Sequence, residues 1–166
     1  MQAKTLARTL RLQTGYVAYT CVVNLDCVTD EDALVGPEKG GNCTNWIVGH
    51  LLHARAGLLD LLGTELPFAR DKYKRYERSS SPVDGPETTV PLSEMAVDLA
   101  ATAEPLEGAL DGLTDVFLTQ VAPIKPTGNE DETMGSLLAG LAFHEAYHAG
   151  QLGLLRRIGG REGAIR

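Results

Sequence analysis

The chain has 166 residues, 43% of them hydrophobic and 22% charged, which is the make-up of one globular domain covering residues 1–166. Its net charge of −7 and pI near 5.0 argue against nucleic-acid and anionic-membrane partners. No apolar run approaches the roughly 18 residues of a membrane span, and the start "MQAKTLARTLRLQTGY" lacks the apolar stretch of a signal peptide.

Four segments carry helical periodicity. The first runs from about Ala3 to Leu25, with Leu6, Leu10, Val17 and Cys21 recurring at helical intervals. Cys21, Cys27 and Cys43 are odd in number and show no Cys-x-x-Cys spacing, so they read as reduced thiols of a cytoplasmic protein, each a small buried hydrophobe. "TDED" at 29–32 reads as a capping box for a short extra turn. The second helix spans about Cys43 to Leu62 and stops at Gly63. The third follows Pro91, with Ser93 as its cap, and Pro105 is expected to kink or divide it. The fourth runs from about Thr133 to Ile158 and ends at Gly159 and Gly160, with Arg156 and Arg157 favouring its C-terminal dipole.

Residues 63–91 form a connection far longer than a turn between antiparallel neighbours needs. It suits an all-α four-helix bundle in which a crossover returns the chain to the opposite end before the third helix. Within it, "ARDKYKRYER" (69–78) holds five of the fifteen Lys and Arg residues. Its first reading is a solvated segment, its second a flap that recognises an anionic substrate.

The four histidines form two close pairs, His50 with His53 and His144 with His148. Leu137, Leu141, His144, His148, Leu152 and Leu155 follow the spacing of one core-facing stripe. Ile47, His50, Ala54, Leu58 and Leu61 do the same, while His53 lies about 60° around the helix. Apolar neighbours cannot satisfy both ring nitrogens of three buried imidazoles. A divalent metal would take one nitrogen from each ring, provided the second and fourth helices are neighbours. Three neutral ligands leave coordination positions open, the mark of a catalytic site. Zinc is the default, and nickel, iron and cobalt also suit imidazoles.

"HEAYH" (144–148) also satisfies His-Glu-x-x-His, the zinc-protease signature. A protease would need Glu145 as general base and a third ligand downstream. The metzincin extension fails, because Gln151 and Leu154 stand where Gly and His are required. No chain remains for a helix carrying a third Glu.

"NWIVGHLLHARAGLLDLLG" (45–63) together with "HEAYHAGQLGLLRRIGG" (144–160) resembles the DinB-like (DinB/YfiT) superfamily of metal-binding helical bundles. An Asn-Trp-x-x-Gly-His start to one helix and a His-x-x-x-His-x-Gly-Gln run in another carry the likeness. It implies an up-down-down-up bundle, frequent homodimerisation, and a divalent metal held by His50, His144 and His148. It further implies a small-molecule substrate and thiol-dependent transferase or isomerase chemistry, with a low-molecular-weight thiol as co-substrate. His53 departs from the family pattern.

A thiol brought to the open position is deprotonated near neutral pH and attacks as a thiolate. Water there gives a hydrolase instead, and a site closed by a fourth ligand, His53 or Glu145, gives a non-catalytic metal-binding bundle. Gln151 either orients a ligand or satisfies buried backbone, and Glu145 reads as partner to an imidazole or a cation. Trp46 and Tyr147 read as packing. Gly49, Gly140, Gly150 and Gly153 imply close helix approach, within the subunit or across a dimer.

Overall fold

The apolar stripes of the sequence become helices that bury them. The structure, a computed structural model, describes residues 2–83 and 85–165, and among these every named element is helical. The α-helices are α1 (Gln2–Leu25), α2 (Thr44–Leu61), α3 (Leu92–Ala101), α4 (Ala103–Asp111), α5 (Asp115–Leu118) and α6 (Met134–Ile158). Short 3₁₀ helices occupy Asp32–Leu34, Arg70–Tyr76 and Pro86–Thr88. An isolated bridge joins Val121 to Thr133. Among the described residues no helix is long and apolar enough to cross a membrane.

Local chemistry sets the boundaries. Thr133 caps α6 by accepting from the Ser136 N–H, and the Ser136 hydroxyl accepts from the Thr133 N–H in return. Thr29 and Asp32 make the corresponding reciprocal pair before the first 3₁₀ helix. Gly63 ends α2 at φ +67, a left-handed conformation that a side chain would strain. The expected cap at Ser93 is not formed: Pro91 takes the cap position of α3, and the Leu92 N–H donates to Asp30 Oδ1 at 2.5 Å. The division expected from Pro105 falls at Thr102, which leaves the proline in the first turn of α4, where a missing N–H costs nothing.

α6 packs against α1 and α2, so the second and fourth predicted helices are neighbours. Arg156 reaches past its own helix and donates to the carbonyls of Asn24 (3.1 Å) and Asp26 (2.7 Å). That contact gathers the C-terminal ends of α1 and α6. One core cluster centres on Trp46, Ile47, Leu51, Tyr73, Tyr76, Met95 and Leu152. A second centres on Leu10, Leu59, Leu106, Leu110 and Leu138. Each such side chain contributes about 1.5–3 kcal/mol when removed from water.

Several expectations are corrected here. The basic segment at 69–78 is solvated only in part, because Tyr73 and Tyr76 sit in the first core cluster while Lys74 and Arg78 stay exposed. Lys72 folds back onto Asp98 and Glu94. Two of the cysteines, Cys21 and Cys43, are buried, but Cys27 is exposed at φ +58 just beyond α1. Gly49 and Gly153 do meet neighbours, the Tyr76 ring and the Asn24 amide respectively, whereas a Cβ on Gly140 or Gly150 would meet nothing.

Candidate metal centre

His50 projects from the second turn of α2, and His144 and His148 from successive turns of α6. The helix packing brings one nitrogen of each to within 4.8 Å of the others, so this set could hold a metal ion. The detail lies in the protons. His50 Nδ1 is 2.7 Å from the Tyr76 carbonyl, which can only accept, so Nδ1 carries the proton and Nε2 keeps a lone pair. His148 Nδ1 is likewise 2.6 Å from Gln151 Oε1, leaving its own Nε2 bare.

His144 Nε2 lies 3.1 Å from both of those nitrogens. A single proton on His144 can serve only one of them. Its Nδ1, moreover, is buried without a hydrogen-bond partner among the described residues. Three inward-facing nitrogens with at most one proton between them are a poor hydrogen-bonded core and a good ligand set. Nitrogens bound at about 2.0–2.1 Å to one divalent ion stand about 3–3.4 Å apart, and the observed spacing fits.

Burial lowers the proton affinity of all three rings. For His50 the Tyr76 carbonyl partly opposes it, and the charges of His53 and Arg78 add to it. For His144 the charges of His50 and Arg78 act in the same direction as burial. For His148 burial outweighs the Gln151 hydrogen bond and brings the ring down to about 4. Neutral imidazoles are the form that binds metal, and burial favours that form at all three rings.

The surroundings fix the rings. Trp46, one turn before His50, stacks on it with centroids 4.7 Å apart, and its Nε1–H donates to Ser80 Oγ at 3.0 Å. Tyr147 was expected to pack; instead it is 56% exposed and sets its ring edge-on to His148 at the rim of a cavity. That cavity measures about 700 Å³ and opens directly onto the histidines. Its walls include Trp46, Ala54, Leu137, Leu141, Phe143 and Tyr147, with Arg78, Glu132 and Gln151 as polar points. A larger concavity of about 960 Å³ lies along the outside of α1, bounded by Arg8, Arg11, Tyr16 and Asp111. It contains no histidine or cysteine, and Arg11 there already pairs with Asp111 at 2.9 Å.

Two candidates leave the centre. Glu145 faces away from the imidazoles and pairs with Arg55 of α2, Nε to Oε1 at 2.7 Å, with the side chains 2% and 6% exposed. Arg55 also donates to Thr102 Oγ1 at 2.7 Å. Burial alone would lower the Arg55 proton affinity, but the Glu145 charge and hydrogen bond outweigh it and the net shift is upward. His53 is half-buried and stands outside the histidine cluster. Neither supplies a fourth ligand among the described residues. Arg55 and Thr102 were missed from the sequence, though a lone arginine at a core-facing position of α2 was the available signal.

A helical fold with three converging imidazoles beside an open cavity defines a candidate metal-binding protein. The chain belongs to the DinB superfamily, whose sequence model matches residues 22–152. No curated protein matches the chain.

Proposed function

We propose that this protein is a metal-dependent enzyme acting on a small molecule, a thiol-dependent S-transferase or isomerase, with His50, His144 and His148 as the metal ligands. The observation that carries this reading is the convergence of three Nε2 atoms beneath an open cavity with no fourth protein ligand among the described residues. A divalent cation held there, zinc by default, supplies Lewis acidity to a thiol or water entering from the cavity. The Tyr76 carbonyl and Gln151 Oε1 hold their rings so that the lone pairs face inward. Trp46, Leu141 and Phe143 keep the cavity wall apolar and limit water at the reacting end.

We read the fold as a four-helix bundle of up-down-down-up order, with α3 and α4 as one interrupted helix. We also propose a homodimer through α1 and α6. From Leu12 to Leu25 and from Met134 to Leu155 the only charged residue is Glu145, which is buried against Arg55. The same helices expose Leu12, Tyr16, Tyr19, Phe143 and Leu154. An uncharged surface of this kind is the composition of an interface centre. The free thiols of Cys21, Cys27 and Cys43 support a cytoplasmic home.

Metal analysis of the purified protein beside His148→Ala tests the first claim, with about one ion per chain expected in the first and none in the second. Titrating small thiols into the cobalt-substituted protein tests the second. A sulfur-to-metal charge-transfer band supports the transferase reading, and its absence with every thiol removes it.

A further inference from the structure

The cavity beside the histidines has a second chemical pole. Arg78 lies in its wall, exposed, and no ion pair or hydrogen bond engages it among the described residues. Its neighbours in the basic segment are otherwise employed. Arg70 pairs with Asp60, Lys72 pairs with Glu94 and Asp98, and Arg75 donates to the carbonyls of Thr88, Ser81 and Pro82. Lys74 is exposed and stands outside the cavity.

The position of Arg78 is built from both sides. Two residues before it, buried Tyr76 donates its hydroxyl to Asn45 Oδ1 at 2.9 Å and accepts the Val90 N–H at 3.0 Å. Two residues after it, Ser80 takes the Trp46 indole N–H at 3.0 Å. Between them Ser79 turns the chain at φ +66. The segment is thus tied to the ligand-bearing face of α2 on both flanks of the arginine, which is why its charge is felt at His50 and His144. Among the described lining residues the one carboxylate is Glu132, which is buried, takes the Ser136 hydroxyl and forms no ion pair with Arg78.

We propose that Arg78 is a specificity-determining residue of this pocket, and that it binds the carboxylate of a small organic acid whose apolar or aromatic body lies against Trp46, Leu141 and Phe143. A planar guanidinium matches a carboxylate with two parallel hydrogen bonds, and an apolar wall strengthens them. This inference rests on the cavity being the substrate pocket, as proposed above, and not on the metal. The anion is anchored at one end of the molecule while its other end reaches the three histidines.

Trp46, the chain's single tryptophan, stands in the cavity wall and reports on occupancy by its fluorescence. Benzoate and its uncharged counterpart benzamide are titrated into the full chain, into Arg78→Gln, Arg78→Lys and His148→Ala, with metal content measured in each. Wild-type protein is expected to bind benzoate at least about tenfold more tightly than benzamide, as a charge-assisted pair demands. Arg78→Gln should remove that preference by weakening benzoate alone, and Arg78→Lys should restore part of it. Equal binding of the two probes to wild type, no saturable benzoate binding, or an Arg78→Gln variant that weakens both probes or neither overturns the proposal. The preference is expected to persist in His148→Ala. Wild-type protein that fails to bind a divalent metal yet keeps the preference would end the metal reading and leave this one standing; wild-type protein that binds the metal but shows no preference does the reverse.

Discussion

Gly49 faces the ring of Tyr76 so closely that a Cβ placed on it would stand 2.4 Å from the ring. The same tyrosine lends its carbonyl to His50 Nδ1. A glycine in the middle of α2 therefore lets the crossover segment lie flat on the helix and orient a candidate ligand. Gly49→Ala must push Tyr76 outward, an overpacking cost of about 1–3 kcal/mol. Displacing the acceptor should also weaken metal binding about 10–100-fold. Gly57, on the same helix but with open space around it, is the control: Gly57→Ala should stabilise by about 0.4–1 kcal/mol. Urea midpoints and a chelator competition on the two variants would read both effects, and equal behaviour of the pair would remove the assigned role of Tyr76.

Gln151 offers a cleaner probe of ligand orientation, because it is only half-buried and its loss opens no core cavity. Its Oε1 fixes which nitrogen of His148 carries the proton. Gln151→Leu should lower metal affinity about 10–100-fold while leaving the unfolding midpoint within about 0.5 kcal/mol of wild type. Gln151→Glu, a stronger acceptor, should keep the affinity. Should Gln151→Leu bind metal as tightly as wild type, the hydrogen bond is incidental.

The helices were legible from their apolar periodicity, and some carried a boundary signal in their own few residues: Thr29 with Asp32 at the first 3₁₀ turn, and Gly63 at the end of α2. His50, His144 and His148 were legible because polar rings interrupt apolar stripes of the right period. What periodicity lacks is partnership across the chain. Tyr76 lies in a segment dense with Lys and Arg, and nothing local reveals that its ring is core and its carbonyl faces His50. Glu145 illustrates the converse. Its place inside His-Glu-x-x-His invites a catalytic role, yet a helix turns it about 100° from His144, toward an arginine 90 residues earlier in the chain. Which face of α6 meets α2 is a tertiary fact, and a single sequence leaves it open.

The Arg55–Glu145 pair yields a prediction that separates structure from chemistry. Glu145→Gln leaves the Arg55 guanidinium buried against Thr102 with its charge unbalanced. The expected loss is about 3–5 kcal/mol, equivalent to a fall in Tm of roughly 6–20 °C for a domain of this size. Metal content of the protein that remains folded should be unchanged. Replacing both partners, as in Arg55→Met with Glu145→Leu, should recover much of the stability. A stable Glu145→Gln protein lacking activity would instead assign Glu145 to the reaction.

Acid should destabilise the metal-free protein through the histidine cluster. Burial holds all three rings below the ordinary histidine range, His148 at about 4. In the unfolded chain they return to about 6.5. Between those limits the unfolded state binds more protons than the folded one, so stability rises with pH across that window. The contribution is complete above about pH 6.5 and is lost as pH falls toward about 4. Protons compete with metal for the same nitrogens, and bound ion should leave over the acid side of the same range. Denaturation midpoints of chelator-treated protein at about pH 5 and about pH 7.5 would measure the slope, with His148→Leu expected to flatten it. A wild-type slope no steeper than that of His148→Leu would mean that this ring titrates as if in water, against the enclosure described for it.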